Sequence, residues 1–158
     1  MSAVTNIIVA GLGGQGVLKA SGILADAAFR MGFDVKKAEV HGMSQRGGSV
    51  ASDVRFGESV LSPMVPPGEA DYLVVLSADQ VEANRWQLRA GGTLIEPAMV
   101  PEASLRNKRS LNVALLGVLS TRLDFPESVW LDAIRANLPG KLHAANCDAF
   151  EQGRAVKL

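Results

Sequence analysis

Two periods of apolar residues divide the chain. Residues 4–10, ending in Ile-Ile-Val-Ala, are uncharged and largely β-branched, the pattern of a strand buried on both faces. From Val17 the spacing changes. Val17, Ala20, Ser21, Leu24, Ala27, Ala28 and Met31 recur three and four apart, which predicts a helix, with Lys19, Asp26 and Arg30 on its other side and Gly32 at its end. Its inward residues are small, so it is expected to lie close to the sheet. Residues 33–40 form a second strand. Residues 49–56 alternate, with Val50, Ser52, Val54 and Phe56 set against Ser49, Ala51, Asp53 and Arg55, and form a third. Gly57-Glu58 reads as a hairpin-like turn after which residues 59–61 return antiparallel.

Pro63, Pro66, Pro67 and Gly68 then interrupt the pattern. Residues 72–76 are another buried strand. Ser77 and Gln80 have the spacing of a capping box, which predicts a helix to about Arg89 with Ala78, Val81, Arg85 and Leu88 on one side, stopped by Gly91-Gly92. Residues 93–95 make a short strand, and 98–110 read as a polar loop. Residues 111–123 are apolar and helical with Asn112 at their start. Residues 126–138 form a helix begun by Pro126, and 142–152 a last one after Pro139-Gly140. Strands alternating with helices define an α/β fold: one three-layer Rossmann-like domain over residues 1–158, with a mainly parallel sheet made mixed by the hairpin.

Composition narrows the function. Sixteen basic and sixteen acidic residues give zero net charge, unlike the basic excess of a nucleic-acid binder. Apolar runs fall short of the roughly 20 residues that span a bilayer, and the N-terminus lacks the features of a signal peptide. No membrane association is expected. Cys147 is the sole cysteine, so a reducing cytoplasm is the expected compartment. One thiol cannot hold an ordinary iron–sulfur cluster, and His41 and His143 are far apart in sequence, so no metal site is expected in this chain. Cys147 reads as a packed or idle thiol. Trp86 and Trp130 read as core or interface residues rather than cofactor stacks.

The chemistry concentrates after the strands, where α/β folds place their ligands. Gly11-Leu-Gly-Gly-Gln-Gly16 joins the first strand to the first helix, the arrangement of a nucleotide-binding turn. In that motif Gly11 permits the turn, Gly13 admits a phosphate or another backbone, and Gly16 lets the helix lie against the strand. Gly13, Gly14 and Gln15 are candidate ligand or partner contacts, Gln15 as a donor or only as a local cap. A second segment, His41-Gly-Met-Ser-Gln-Arg-Gly-Gly48, has neither strand nor helix periodicity and gathers imidazole, hydroxyl, amide and guanidinium groups. His41 is a candidate general acid or base. Arg46 can hold a carboxylate or phosphate in a fork, or form an interface salt bridge. Met43, Ser44, Gln45 and Gly47 complete the candidate loop. Both segments and residues 77–79 are expected on one edge. Glu39, about 20 residues beyond the glycine turn, stands where a dinucleotide fold keeps its ribose-binding acid, or is an ordinary strand-end carboxylate.

Residues 6–17, Asn-Ile-Ile-Val-Ala-Gly-Leu-Gly-Gly-Gln-Gly-Val, resemble the start of the gamma subunit or domain of 2-oxoacid:ferredoxin oxidoreductases. Residues 39–50, Glu-Val-His-Gly-Met-Ser-Gln-Arg-Gly-Gly-Ser-Val, are similar to the small-subunit form found in the indolepyruvate-type enzymes. The segments 112–117 and 146–153 also resemble that family, although residues 95–111 are short for it. The resemblance implies a small subunit, inactive alone, that closes or supports the active site of a large partner. That partner would hold thiamine diphosphate, Mg2+ and iron–sulfur clusters. The complex would oxidatively decarboxylate an aryl 2-oxoacid to an acyl-CoA and reduce ferredoxin. The alternatives are a free-standing NAD(P)- or FAD-binding oxidoreductase and a non-catalytic assembly module.

Overall fold

In the computed structural model, residues 3–41 and 48–158 are described. Five strands, β1 (Thr5–Leu12), β2 (Asp34–His41), β3 (Ser49–Gly57), β4 (Ala70–Val75) and β5 (Leu88–Ile95), form one sheet in the order β2-β3-β1-β4-β5. The β1–β4 and β4–β5 pairs are parallel, and β2–β3 and β3–β1 are antiparallel. The sheet is therefore mixed, and half of its pairings are parallel. Its antiparallel half arises from β3, which inserts between β1 and β2. The expected return strand at 59–61 does not form. Residues 58–68 instead leave the sheet plane and cross one of its faces as a strap.

The two faces are covered unequally. Ile7, Val9, Val54, Phe56, Val74 and Ile95 point to a large core under four helices, α1 (Val17–Arg30), α3 (Leu111–Ser120), α4 (Glu127–Asn137) and α5 (His143–Arg154). Each large aliphatic residue buried there contributes about 1.5–3 kcal/mol. Helix α3 is central: every residue from Asn112 to Ser120 is buried, so it shows continuous hydrophobicity rather than one apolar stripe. It crosses α5 at Gly117 and Gly153. A Cβ on Gly153 would strike the Ala114 carbonyl oxygen, and one on Gly117 the Phe150 carbonyl oxygen. Trp130 stacks on Phe125, 5.6 Å between centroids, and lies 5.7 Å from Phe150.

The opposite face is thin. Ile8, Ala10, Leu73 and Val75 meet only Val65 of the strap and Val81 of the four-residue helix α2 (Val81–Asn84), with smaller contributions at the margins. The helix predicted to run to Arg89 is thus cut to α2 flanked by two 3-10 turns, and the capping box is not made: Ser77 Oγ bonds Asp79 Oδ1 at 2.6 Å. Leu88 and Arg89 belong to β5. Gly91-Gly92 lies inside that strand, near the register shift between Ala70 and Tyr72, and does not terminate a helix.

Candidate functional site

The carboxyl ends of β1, β2 and β4 and the start of β3 share one edge, as the sequence predicts. The Gly13 N–H donates to the Gly48 carbonyl at 2.9 Å, so the glycine turn is tied to the end of the second loop by backbone. His41 closes β2 opposite Val50 and is exposed. Met43, Ser44, Gln45, Arg46 and Gly47 lie outside the described residues.

Inside the turn the groups have definite partners. Gln15 caps the turn locally: its Oε1 accepts the Leu12 N–H at 2.7 Å, closing the turn on itself. Gly16 takes φ +84°, the left-handed region, as the cap of α1. Its lack of a side chain serves α3 rather than helix–strand contact. Asn112 Nδ2 donates to the Gly16 carbonyl at 3.1 Å and occupies the space a Cβ would take. Asn112 Oδ1 accepts the N–H of Val113 at 2.9 Å, so the amide links the starts of two helices. Gly14, at φ +87°, faces open space.

That open space is a cleft of about 800 Å³ between the glycine turn and the segments before α3 and α5. Gly14, Gly16, Lys19, Lys108, Arg109 and Glu102 contribute to its walls. None of the three basic side chains forms an ion pair with a described residue, although Lys19 Nζ donates to the Asn137 carbonyl at 3.2 Å. With the amino end of α1 they make the cleft attractive to anions. Sequence reading missed this wall, because residues 98–110 showed no period. The available signal was the pair Lys108-Arg109 directly before an apolar helix.

Glu39 cannot act as the ribose-binding acid of a dinucleotide fold. With β3 between them, β2 lies two strand spacings, about 10 Å, from β1. Glu39 instead sits opposite Ser52, its Oε1 3.6 Å from Lys37 Nζ. Trp130 is buried in the core, whereas Trp86 lies on the surface, its Nε1 donating to the Ala83 carbonyl at 3.0 Å.

This fold is similar to that of a solved gamma subunit. The keto/oxoacid ferredoxin oxidoreductase gamma subunit of Geobacter sulfurreducens superposes with TM-score 0.80 at 21% identity, covering 94% of this chain and 95% of that one. A 2-oxoglutarate:ferredoxin oxidoreductase from Magnetococcus marinus, solved with 2-oxoglutarate, coenzyme A and succinyl-CoA bound, matches with TM-score 0.83 at 20% identity, over 96% of this chain and 30% of that one. In sequence, residues 6–103 match the family model for pyruvate ferredoxin/flavodoxin oxidoreductase. The chain belongs to that family. Among its relatives, the indolepyruvate oxidoreductase subunit IorB of Thermococcus kodakarensis is 37% identical, over 94% of this chain and 93% of that protein. This chain is accordingly an IorB-like small subunit of the 2-oxoacid:ferredoxin oxidoreductase class.

Proposed function

We propose that this chain is the small subunit of an arylpyruvate (indolepyruvate-type) 2-oxoacid:ferredoxin oxidoreductase that works in the cytoplasm. It closes or supports the active site of a large subunit holding thiamine diphosphate, Mg2+ and iron–sulfur clusters. The observation that carries this reading is the Gly13–Gly48 bond, which ties the glycine turn, similar to that of the gamma subunits, to the end of the segment similar to that of the indolepyruvate-type small subunit. Thiamine supplies the carbanion chemistry of decarboxylation when bound in the partner. This chain's part is to exclude water and position anionic substrates. Gly13 and Gly14 allow backbone approach. His41, Met43, Ser44, Gln45, Arg46 and Gly47 are the proposed contacts to the substrate or the large subunit. The basic cleft at Lys19, Lys108 and Arg109 fits the phosphates of CoA. The partner's iron–sulfur clusters would supply the electron-transfer chemistry that reduces ferredoxin.

Arg46→Ala tests the loop. The isolated variant is expected to melt near wild type, while assembly or 2-oxoacid turnover falls by at least about tenfold, or 1.36 kcal/mol. Unchanged assembly and turnover would make Arg46 a solvated charge. The paired variant Lys108→Ala, Arg109→Ala tests the cleft: KM for CoA should rise at least about tenfold with KM for the oxoacid unchanged. Equal KM values for CoA would remove CoA from the cleft.

A further inference from the structure

The thin face of the sheet is covered by two pieces that leave a gap. The strap 58–68 is fastened across one end by three charged side chains. Asp34 Oδ2 accepts the Val60 N–H at 2.8 Å, Arg55 Nη1 donates to the Ser62 carbonyl at 2.7 Å, and Asp53 Oδ2 accepts the Val65 N–H at 2.9 Å. Helix α2 and the turn after it cover the region over β4. Between them a groove of about 510 Å³ opens over Val40, Ala51 and Asp53, lined by Met64 of the strap and Trp86 of the turn after α2. A doubly wound fold covers such a region with a crossover helix. Here β2 runs antiparallel to β3, so none is needed and the third layer stays incomplete.

The exposed side chains gather at this gap. Among the described residues seven large hydrophobics are exposed, and four of them, Val40, Leu61, Met64 and Trp86, lie on the groove or the strap. Trp86 is 63% and Met64 54% exposed. At the floor, Asp53 is only 5% exposed, accepts the Val65 N–H, and forms no ion pair with a described residue. Apolar walls around a buried carboxylate select the occupant. A wholly apolar segment would cover the carboxylate without pairing it, which is costly. An aryl 2-oxoacid or CoA would bring negative charge to it. A second copy docked groove to groove would face one acidic floor with another. A basic side chain flanked by apolar ones satisfies both charge and shape.

We propose that the groove docks an extended segment of the large subunit, which sets an arginine or lysine over Asp53 between apolar side chains seated on Met64 and Trp86. The proposal rests on the subunit reading above. It extends the contact from the glycine-turn edge, where His41 and Ser49 also border the groove, onto the sheet's thin face.

The test uses the whole chain and the purified large subunit, with association measured by calorimetry or interferometry. Trp86→Glu and Met64→Glu change exposed side chains and should leave the melt of the lone chain unchanged. Asp53→Asn keeps the acceptor for Val65. Phe29→Glu, on α1 across the sheet, is the control, since Phe29 is 70% exposed there. Each groove variant should weaken association at least about tenfold, with Phe29→Glu binding like wild type. Association of Trp86→Glu and Met64→Glu at wild-type strength would overturn the proposal. So would self-association of the lone chain that Trp86→Glu abolishes, or quenching of Trp86 fluorescence by an aryl 2-oxoacid. A wild-type chain that fails to bind the large subunit would sink the subunit reading itself, a result distinct from wild-type binding that the groove variants leave intact.

Discussion

Asn112 and Gly16 meet because one residue lacks the atom the other needs room for. Gly16→Ala must both hold a left-handed φ, at about 1–2 kcal/mol, and displace the Asn112 amide. Denaturant titration should show a loss of about 2–4 kcal/mol. A loss below about 0.5 kcal/mol would mean that the contact yields without cost. Two aspartates make opposite pH signatures. Burial raises the Asp53 carboxyl above its ordinary 3.8, against the Val65 N–H and the Arg55 charge. The Val60 N–H, then Lys36, hold Asp34 below 3.8. Asp53 binds its proton more tightly when folded, so its contribution weakens stability as pH rises from 3.8 through its folded value, then levels off. Asp34 does the reverse: its contribution is present above 3.8 and is lost as pH falls through its lower folded value. Asp53→Asn should flatten the stability curve above pH 3.8, and Asp34→Asn should flatten it below. Melts at stepped pH check both, and curves parallel to wild type would contradict the assignment.

At the scale of elements, β1 and α1 were plain in the sequence, β1 as a continuous β-branched apolar run and α1 as a three-and-four spacing between Gly16 and Gly32. β3 was also legible as a strand, from the alternation of Val50, Ser52, Val54 and Phe56. Its place between β1 and β2 was not, because alternation fixes faces and leaves neighbours open. Residues 59–61 looked like a returning strand from their turn alone, yet the strap is held by Asp34, Asp53 and Arg55, partners distant in sequence or on another element. The short α2 was overread because its helical spacing continues into Leu88, which tertiary pairing with Ala70 claims for β5. The glycine turn was legible as the strand-to-helix junction bordering the cleft, while the cleft wall at Lys108 and Arg109 was hidden in an aperiodic segment. The crossing of α3 and α5 was hidden for another reason: Gly117 and Gly153 lie 36 positions apart, and only packing shows that they face each other's helices. Gly153→Ala should cost about 1–3 kcal/mol or more, lowering Tm by about 2–4 °C per kcal/mol. An unchanged melt would show that the helices can part.

For the whole molecule, the inserted β3 separates Glu39 from the glycine turn, and the unequal faces leave one side of the sheet thin. Those features suit a domain that fits against other protein better than one that holds a dinucleotide by itself. The described helices include none long and apolar enough to cross a membrane. The most direct measurement is reconstitution of the wild-type chain with its large subunit, followed by CoA-dependent reduction of ferredoxin or a dye with an aryl 2-oxoacid. A dinucleotide titration of the lone chain runs beside it. The account predicts no turnover by this chain alone, turnover restored by the pair, and no micromolar NAD or FAD binding. Full turnover by the large subunit without this chain, or tight dinucleotide binding by the chain alone, would contradict it.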